Sequence, residues 1–211
     1  MKIALIGATG RTGRLLAPVL TSRGHQVSIL VRDRARLADL ADLPGLRIVD
    51  GDVTDPAALA RLVEGADAVV SALGPTGKQP DLHTRTAGHL VAIMDGHGMR
   101  RFVGISGAGV DAPGDRKSGR DRAISFLINK LGGAVVKDKP AELAVWSAST
   151  LDWTLVRPPR LTDTPPTGDV EHHAHTSTRK TTISRADLAA FLADVVEQNL
   201  YVRQAPFAAN A

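Results

Sequence analysis

Three glycines, each separated from the next by two residues, lie near the start of the chain between an apolar run and a helix-like stretch at 14–21. Glycine adopts positive φ at little cost, and its missing side chain lets backbone N–H groups approach a pyrophosphate. A helix that begins after the loop adds unpaired N–H groups and the positive end of its dipole. The spacing, a variant of the dinucleotide fingerprint, therefore predicts a phosphate-binding loop. Its residues are Gly7, Thr9, Gly10, Arg11, Thr12 and Gly13.

An arginine, Arg32, ends the second apolar strand, at the place where the ribose of a dinucleotide is recognised. In NAD-binding proteins an acidic residue there accepts hydrogen bonds from the ribose 2′-hydroxyl group. A guanidinium instead makes a charge-assisted, forked contact to a 2′-phosphate. Arg11 and Arg36 are further candidates for this contact, whereas Asp33 could turn toward a ribose hydroxyl group. The pattern favours NADP(H) over NAD(H).

The ends of the third and fourth strands carry further candidate cofactor contacts. After the third strand, Asp52 could accept from an adenine amino group while Val53 packs on the ring. The alternative interpretation is that Asp52 is a turn or N-cap residue. After the fourth strand, Ala72, Leu73 and Gly74 could let the backbone pass close to a ribose or a nicotinamide, or could form an ordinary turn.

The ends of the fifth and sixth strands carry candidate substrate-site groups. A hydroxyl group at the carboxyl end of such a strand, as at Ser106, points toward the ligand crevice, although serine is also common in turns. Pro158 and Pro159 fix the backbone after the sixth strand and remove two N–H donors. Arg160 would then face the same crevice as Ser106, or would lie on the surface.

Three histidines near residue 173 invite a metal interpretation. In an extended chain His173 and His175 share one face, which makes a two-ligand pair. No convincing third ligand accompanies them, so we expect no metal and a surface strand that includes His172. The basic stretches at 32–36 and 116–122 are expected to be solvated surface. Because only 3% of the residues are aromatic, nucleic-acid binding is not expected.

The elements that must position these residues alternate between strands and helices. Strands are predicted at 26–31, 46–49, 67–71, 101–105 and 153–156, and helices at 14–21, 34–40, 56–64, 82–97, 121–131, 141–148 and 185–197. Short strands that are apolar on both faces and separated by helices indicate a parallel sheet covered on both sides. The sequence therefore predicts an α/β fold, a Rossmann-type doubly wound parallel sheet with helices on both faces. Residues 107–119 should form a long loop, residues 161–168 irregular structure, and the last ten residues a loosely held tail.

Length and composition favour a single NAD(P)-binding domain over residues 1–211, with substrate-covering segments at about 107–133 and 158–183. The absence of cysteine excludes disulfides and thiolate metal sites. No apolar run approaches the length of a membrane span, and the first strand begins too early to follow a signal peptide. We therefore expect a cytoplasmic protein, a monomer with neither nucleic-acid nor membrane partners, that binds a small-molecule acceptor.

With these motifs in place, the chain resembles the atypical short-chain dehydrogenases/reductases. More narrowly, it is similar to the NAD(P)H-binding group that contains NmrA-like proteins and biliverdin reductase B, also called flavin reductase. The resemblance is carried by the glycine loop and by the segments at 30–33, 51–53 and 151–163. It implies a pyrophosphate at the glycine loop, adenosine near Arg32, and adenine against Asp52 and Val53. It further implies that 72–74, Ser106 and the segment with Pro158 line the nicotinamide half.

The chain departs from the family pattern in two ways. The Tyr-x-x-x-Lys pair of short-chain dehydrogenases is absent, because the only tyrosine is Tyr201 and no lysine follows it at that spacing. In biliverdin reductase B, histidines stand at the places that match Lys139 and Arg160, which weakens biliverdin as the natural substrate. The serine of the fifth-strand motif matches either Ser106 or Gly107.

Flavin reduction tolerates these losses, because hydride transfer to flavin N5 needs stacking and alignment more than a positioned acid. Arg160 or Lys139 could stabilise the negative charge that develops on the acceptor. The sequence therefore predicts an NADPH-dependent oxidoreductase that acts on a flavin, quinone or similar planar acceptor, with Ser106, Lys139 and Arg160 in the substrate site. The alternative is a non-catalytic NADP(H) sensor of the NmrA-like type.

Overall fold

Six parallel strands form the central sheet of the computed structural model, which describes residues 1–37, 40–75, 79–131 and 134–211. The strands are β1 (Lys2–Ile6), β2 (Gln26–Val31), β3 (Leu46–Asp50), β4 (Ala68–Ser71), β5 (Arg101–Ile105) and β6 (Asp152–Val156). Their order in the sheet is β3-β2-β1-β4-β5-β6. The chain thus builds outward from β1, then returns to the other side of β1 with β4. At such a reversal the connections diverge and leave a crevice at the carboxyl ends of the strands.

Helices cover both faces of this sheet. They are α1 (Gly13–Ser22), α2 (Pro56–Val63), α3 (Leu82–Gly96), α4 (Gly119–Leu131), α5 (Ala134–Ala148) and α6 (Arg185–Glu197). Successive side chains of a strand point to opposite faces. In β1, accordingly, Ile3 and Leu5 are buried against α1 and α6, whereas Ala4 and Ile6 are buried against α2, α3 and α5. The predicted doubly wound Rossmann-type fold is confirmed.

Two helix starts follow the expected capping chemistry. The Asp55 carboxylate accepts a hydrogen bond of 2.9 Å from the Ala57 backbone N–H, with Pro56 at the first helical position of α2. The Ser184 hydroxyl oxygen accepts 2.9 Å from the Asp187 N–H at the start of α6. Side-chain oxygens thereby satisfy N–H groups that have no partner within the helix.

Several boundaries differ from the sequence expectations. The stretch expected to be helical from residue 34 forms a 3₁₀ helix at Arg34–Arg36, and residues 38 and 39 lie outside the described part. The helix expected at 141–148 begins at Ala134 as α5. Two short strands, β7 (Arg160–Thr162) and β9 (Thr182–Ser184), pair in parallel. The first residues of the stretch at 161–168, which was expected to be irregular, therefore belong to a strand. In the described part of the chain, no helix has the length and apolar character of a membrane span.

The expectation of a loosely held C-terminal tail is wrong. Residues Phe207–Asn210 form β10, which pairs antiparallel with β8 (Val170–His173) and is buried along its length. The Asn210 side chain accepts from the Ser184 backbone N–H at 2.9 Å and donates to Asp187 at 2.6 Å. Small apolar residues and one amide that matches a buried carboxylate therefore hold this segment in place.

The segment at 107–119 is a loop as expected, but its basic character is not simply solvated surface. The Lys117 ammonium group is buried and donates to the Val110 carbonyl oxygen and the Ser125 hydroxyl oxygen, each at 3.0 Å. The Arg157 guanidinium is fully buried and makes a forked pair with Asp115 at 2.6 and 2.7 Å. The solvated-surface expectation is wrong for Lys117, because this cation secures the loop to α4.

Candidate functional site

The glycine loop lies directly against the end of β4. Gly7 has a φ of +78°, and a Cβ atom there would come within 2.7 Å of the Ala72 carbonyl group and 2.9 Å of the Leu73 nitrogen. A Cβ atom at Gly13 would overlap the Gly7 carbonyl oxygen. The Gly10 N–H donates to that same oxygen at 3.0 Å. The fold therefore needs glycine at 7 and 13, which fits a backbone cradle for a pyrophosphate.

The start of α1 faces the carboxyl edge of the sheet. Thr12 is its N-cap residue, and the Thr12 side chain makes no capping hydrogen bond. The Arg14 and Leu15 N–H groups donate to the Gly10 and Thr12 carbonyl oxygens at 2.9 and 3.1 Å. The positive end of the helix dipole remains directed to this edge, an environment that favours a phosphate. Arg14, which the sequence analysis missed, links the loop to the 3₁₀ helix by donating to the Thr9 carbonyl oxygen at 3.3 Å and to the Arg36 carbonyl oxygen.

A groove of about 320 Å³ runs along this edge between the ends of β1, β2, β3 and β4. Six of the residues expected to contact a cofactor line it together: Gly7, Thr9, Arg32, Arg36, Val53 and Leu73. They come from four separate segments of the chain, which the fold brings together at this edge of the sheet. Their role in cofactor binding stays a prediction.

Charged side chains at the β2 end of the groove are arranged to leave two guanidinium groups facing it. Asp33 uses one carboxylate oxygen to cap the 3₁₀ helix at the Ala35 N–H, at 3.0 Å. Arg34 is held by Asp50 through hydrogen bonds of 2.8 and 2.7 Å. Arg32, Asp33 and Arg36 line the groove, whereas Arg34 does not. The two guanidinium groups suit a 2′-phosphate, and the Asp33 carboxylate suits a ribose hydroxyl group.

Asp52 is both a turn residue and a neighbour of Arg32. One of its carboxylate oxygens accepts from the Thr54 backbone N–H at 2.9 Å and from the Thr54 hydroxyl group at 2.8 Å, and the other lies 3.4 Å from the Arg32 guanidinium. Burial alone would raise the pKa of Asp52, but the hydrogen bonds from Thr54 and the charge of Arg32 outweigh it and lower the pKa. The turn interpretation of Asp52 is confirmed, whereas its contact with adenine stays a prediction, because Asp52 is not among the residues that line the groove.

The segment at 72–74 continues from β4 along the other side of the crevice. The Ala72 N–H still donates to β1, at the Ile6 carbonyl oxygen at 2.9 Å, whereas Gly74 is exposed. The Leu73 carbonyl oxygen lies 3.2 Å from Nε2 of the buried His83, whose Nδ1 lies 2.8 Å from Asp138. Sequence reasoning missed this pair. Their separation of 55 residues in sequence leaves no local signal that would connect them.

Ser106 and Lys139 lie together at the end of β5 but differ in availability. The Ser106 N–H donates to the Val156 carbonyl oxygen at 2.7 Å, while the Ser106 hydroxyl oxygen is buried and has no hydrogen-bond partner among the described residues. Such atoms are rare, and each needs an explanation. The Lys139 ammonium group donates to the Ile105 carbonyl oxygen at 2.8 Å and to Glu142 at 2.9 Å. Among the described residues, four other buried polar side chains also have an atom without a partner, and Ser106 is not one of the residues that line the groove. Its role at a ligand stays a prediction.

The residues after β6 differ in burial. Pro158 is buried, and its carbonyl oxygen accepts from the Ala108 N–H at 2.9 Å, which holds the loop after Ser106 against β6. The Arg160 side chain is exposed, as a substrate-facing or a surface residue would be. Arg11 is also exposed and contacts Asp163 at 3.4 Å rather than lining the groove. The roles predicted for Pro158, Arg160 and Arg11 stay predictions.

His172 and His173 lie in a strand, β8, as expected, whereas His175 lies beyond its end, and His172 is half-buried. Its Nδ1 is 2.6 Å from the Tyr201 hydroxyl group, and its ring stacks on Phe191 with centroids 4.8 Å apart. Burial lowers the pKa of His172 and raises the pKa of Tyr201. The described residues contain no group of three or more His, Cys, Asp or Glu side chains able to hold a metal ion. The only tyrosine of the chain is thus engaged with β8.

Comparisons with known proteins agree with this geometry. The model of a family described as NAD(P)H-binding matches residues 7–199. A chloroplastic protein of Arabidopsis thaliana is 32% identical over 204 residues, which cover 91% of this chain and 70% of that protein. An isoflavone reductase homolog from Zea mays is 33% identical over 139 residues, which cover 62% of this chain and 42% of that protein. An anaerobillin reductase from Escherichia coli O157:H7 has the same fold, with a TM-score of 0.80, 20% identity, and coverage of 100% of this chain and 97% of that one.

Proposed function

This chain belongs to the NAD(P)H-binding family, and on that premise we propose that it is a reductase that uses NADPH to reduce a flavin, a quinone or a similar planar acceptor. The observation that carries the proposal is the buried hydroxyl group of Ser106 at the carboxyl end of β5, which has no hydrogen-bond partner within the described part of the chain. Relatives named as an isoflavone reductase homolog and an anaerobillin reductase support the reductase class.

The groove suits the adenosine and pyrophosphate part of a dinucleotide. The glycine loop would take the pyrophosphate on backbone N–H groups. Arg32 and Arg36 would take the 2′-phosphate, with Val53 against the adenine. Leu73 and Ser106 would then bound the nicotinamide half. The two arginines favour NADPH over NADH, and Asp33, which also lines the groove, uses one carboxylate oxygen to cap the 3₁₀ helix.

The engagement of two candidate proton donors, Tyr201 and Lys139, supports a flavin-like acceptor. Tyr201 is hydrogen-bonded to His172, and Lys139 is held by the Ile105 carbonyl group and Glu142. A carbonyl substrate needs a proton at oxygen as the hydride arrives, whereas a flavin accepts hydride at N5 and spreads the charge over its ring. The reduced nicotinamide supplies the hydride. Ser106 would orient the reacting rings, and Arg160 would stabilise the developing negative charge.

Turnover tests this function directly. NADPH oxidation would be followed by absorbance with FMN, riboflavin and simple quinones, each with and without enzyme. We expect Ser106→Ala to lower kcat/KM for the acceptor about tenfold, the effect of one lost hydrogen bond. Ser22→Ala at the exposed end of α1 is the matched control. A well-folded protein that binds NADPH but reduces none of these acceptors would contradict the proposal.

A second candidate function is a non-catalytic NADP(H) sensor. The engagement of both Tyr201 and Lys139 in structural contacts favours it, because a sensor needs no proton donor. This function predicts that NADPH and NADP⁺ bind without turnover and that the bound state changes the affinity for a protein partner. Pull-downs with each cofactor form present would reveal that partner. Measured acceptor reduction at an enzymatic rate would exclude the sensor.

A further inference from the structure

A buried histidine–carboxylate pair lies directly behind the cofactor groove and has no part in the chemistry described above. The side chains of His83 on α3 and Asp138 on α5 are each 2% exposed, and His83 Nδ1 is 2.8 Å from Asp138 Oδ2. Asp138 Oδ2 also accepts from the His83 backbone N–H, and Oδ1 accepts from the Thr84 N–H and hydroxyl group, at 2.6–2.9 Å. The carboxylate of one helix therefore caps the N-terminus of another.

The protonation of His83 follows from its two partners. Nδ1 faces a carboxylate and Nε2 faces the Leu73 carbonyl oxygen at 3.2 Å, and both partners can only accept hydrogen bonds. Burial alone would raise the pKa of Asp138, but hydrogen bonds from Thr84 and His83 outweigh it and lower the pKa. Asp138 is therefore an acceptor and not a donor. Only an imidazolium, which donates from both nitrogens, satisfies this arrangement.

The Leu73 peptide connects this pair to the cofactor site. A Cβ atom at Gly7 would collide with the Ala72 carbonyl group and the Leu73 nitrogen, so the 72–73 backbone is the surface on which the glycine loop rests. Leu73 and Leu82 also line the groove. A hydrogen bond that fixes the Leu73 carbonyl group thus fixes both the groove wall and the support of the phosphate loop.

We propose that His83, held by Asp138, is a positioning residue that fixes the Leu73 turn for cofactor binding. The proposal rests on cofactor binding at this groove but not on any acceptor. Without the imidazole ring, the Leu73 turn loses its anchor. Within the described part of the chain, Asp138 is the charged side chain that contacts the ring, whereas Asp81 and Arg85 on α3 are exposed and pair with each other at 4.0 Å.

Two measurements on the full-length protein test the proposal. The first is the ¹⁵N spectrum of the imidazole rings without cofactor, assigned by comparison with His83→Gln. We expect both nitrogens of His83 to donate hydrogen bonds, one to Asp138 and one to the Leu73 carbonyl oxygen. A neutral His83 ring at neutral pH would overturn the inference.

The second measurement is NADPH affinity at neutral pH. We expect His83→Gln to weaken binding about five- to tenfold, since one hydrogen bond that fixes the Leu73 turn is lost. His97→Gln is the control and should follow the wild type, because His97 is exposed at the end of α3 and bonded to the Ile93 carbonyl oxygen. If His83→Gln keeps the wild-type affinity, the positioning role is excluded. Neither measurement requires an acceptor to be reduced. Failure of the positioning proposal is therefore distinguishable from failure of the reductase proposal.

Discussion

At the scale of single residues, Arg32 and Asp52 share the β2–β3 end of the groove. The Arg32 side chain is 56% exposed, and its contact with Asp52 is 3.4 Å long. An exposed ion pair of this kind contributes little to stability. Arg32 can therefore leave Asp52 for a bound phosphate at small cost, and the ion pair keeps the guanidinium near the groove until then.

Removal of Arg32 should change cofactor preference. We expect Arg32→Ala to weaken NADPH binding by about 1.5–3 kcal/mol, the contribution of a hydrogen bond to a charged group, and to change NADH binding much less. Calorimetric titration with both cofactors measures the difference. Arg34→Ala is the matched control, because Arg34 is paired with Asp50 and does not line the groove. Equal losses for the two cofactors would show that Arg32 does not recognise the 2′-phosphate.

Substitutions at two glycines distinguish the need for glycine in the phosphate loop from the effect of glycine on the stability of a helix. A Cβ atom at Gly13 would overlap the Gly7 carbonyl oxygen, so Gly13→Ala must shift the loop and should weaken NADPH binding by more than about tenfold. At Gly88, within α3, nothing lies within 4 Å of an added Cβ atom. Gly88→Ala should therefore raise the free energy of unfolding by about 0.5–1 kcal/mol with unchanged binding. Wild-type affinity in Gly13→Ala would argue against a phosphate at this loop.

At the scale of elements, the loop at 107–119 is fastened to β6 by a buried cation. Arg157 donates to Asp115, to the Val110 carbonyl oxygen at 2.8 Å and to the Ala205 carbonyl oxygen at 2.6 Å. Its guanidinium lies 3.8 Å from the centre of the Phe207 ring. One side chain thus joins the loop after Ser106, the last strand of the sheet and the C-terminal segment, which gives the Ser106 region a fixed position.

Breaking that pair should destabilise the whole fold. We expect Asp115→Asn to lower the free energy of unfolding by about 3–5 kcal/mol, because it leaves the buried Arg157 charge without its anion. Urea denaturation gives the change, and hydrogen exchange should show faster opening at 107–119. Asp95→Asn on the exposed face of α3 is the control. A change below about 1 kcal/mol for Asp115→Asn would mean that the backbone carbonyl groups alone hold Arg157.

Local patterns account for the parts of the fold and site that the sequence predicts. The strands of the central sheet alternate with helices, and Asp55 and Ser184 begin helices as N-caps, because these signals involve residues close in sequence. The glycine loop is local for the same reason. Lys117, His83 and β10 were missed because each owes its position to partners that only the folded chain brings near. The sequence around a lysine does not distinguish a side chain that the fold buries from one that it leaves on the surface.

At the scale of the whole molecule, Asp187 joins the C-terminal strand to α6 and to the segment before β8. It is 2% exposed. It accepts hydrogen bonds from the Ser184 hydroxyl group at 2.7 Å, the Asn210 side chain at 2.6 Å, and the Thr167 and Gly168 N–H groups at 3.0 and 2.9 Å. Hydrogen-bond donors around a carboxylate favour its ionised form. The contacts that join these segments therefore depend on the negative charge of Asp187.

The stability of the molecule should therefore fall in acid partly through Asp187. Burial alone would raise the pKa of this carboxyl group, but its hydrogen bonds outweigh burial and lower the pKa below the ordinary value of 3.8. A lowered pKa in the folded state contributes stability above pH 3.8, and this stability is lost as the pH falls through the folded pKa. Asp187→Asn places an amide donor against other donors, so we expect a loss of about 1–3 kcal/mol at neutral pH. Below pH 3.8 its unfolding free energy should depend less steeply on pH than that of the wild type. Urea denaturation from neutral to acidic pH measures both effects, with Asp95→Asn as the exposed control, and an unchanged acid slope in Asp187→Asn would assign the acid sensitivity to other carboxylates.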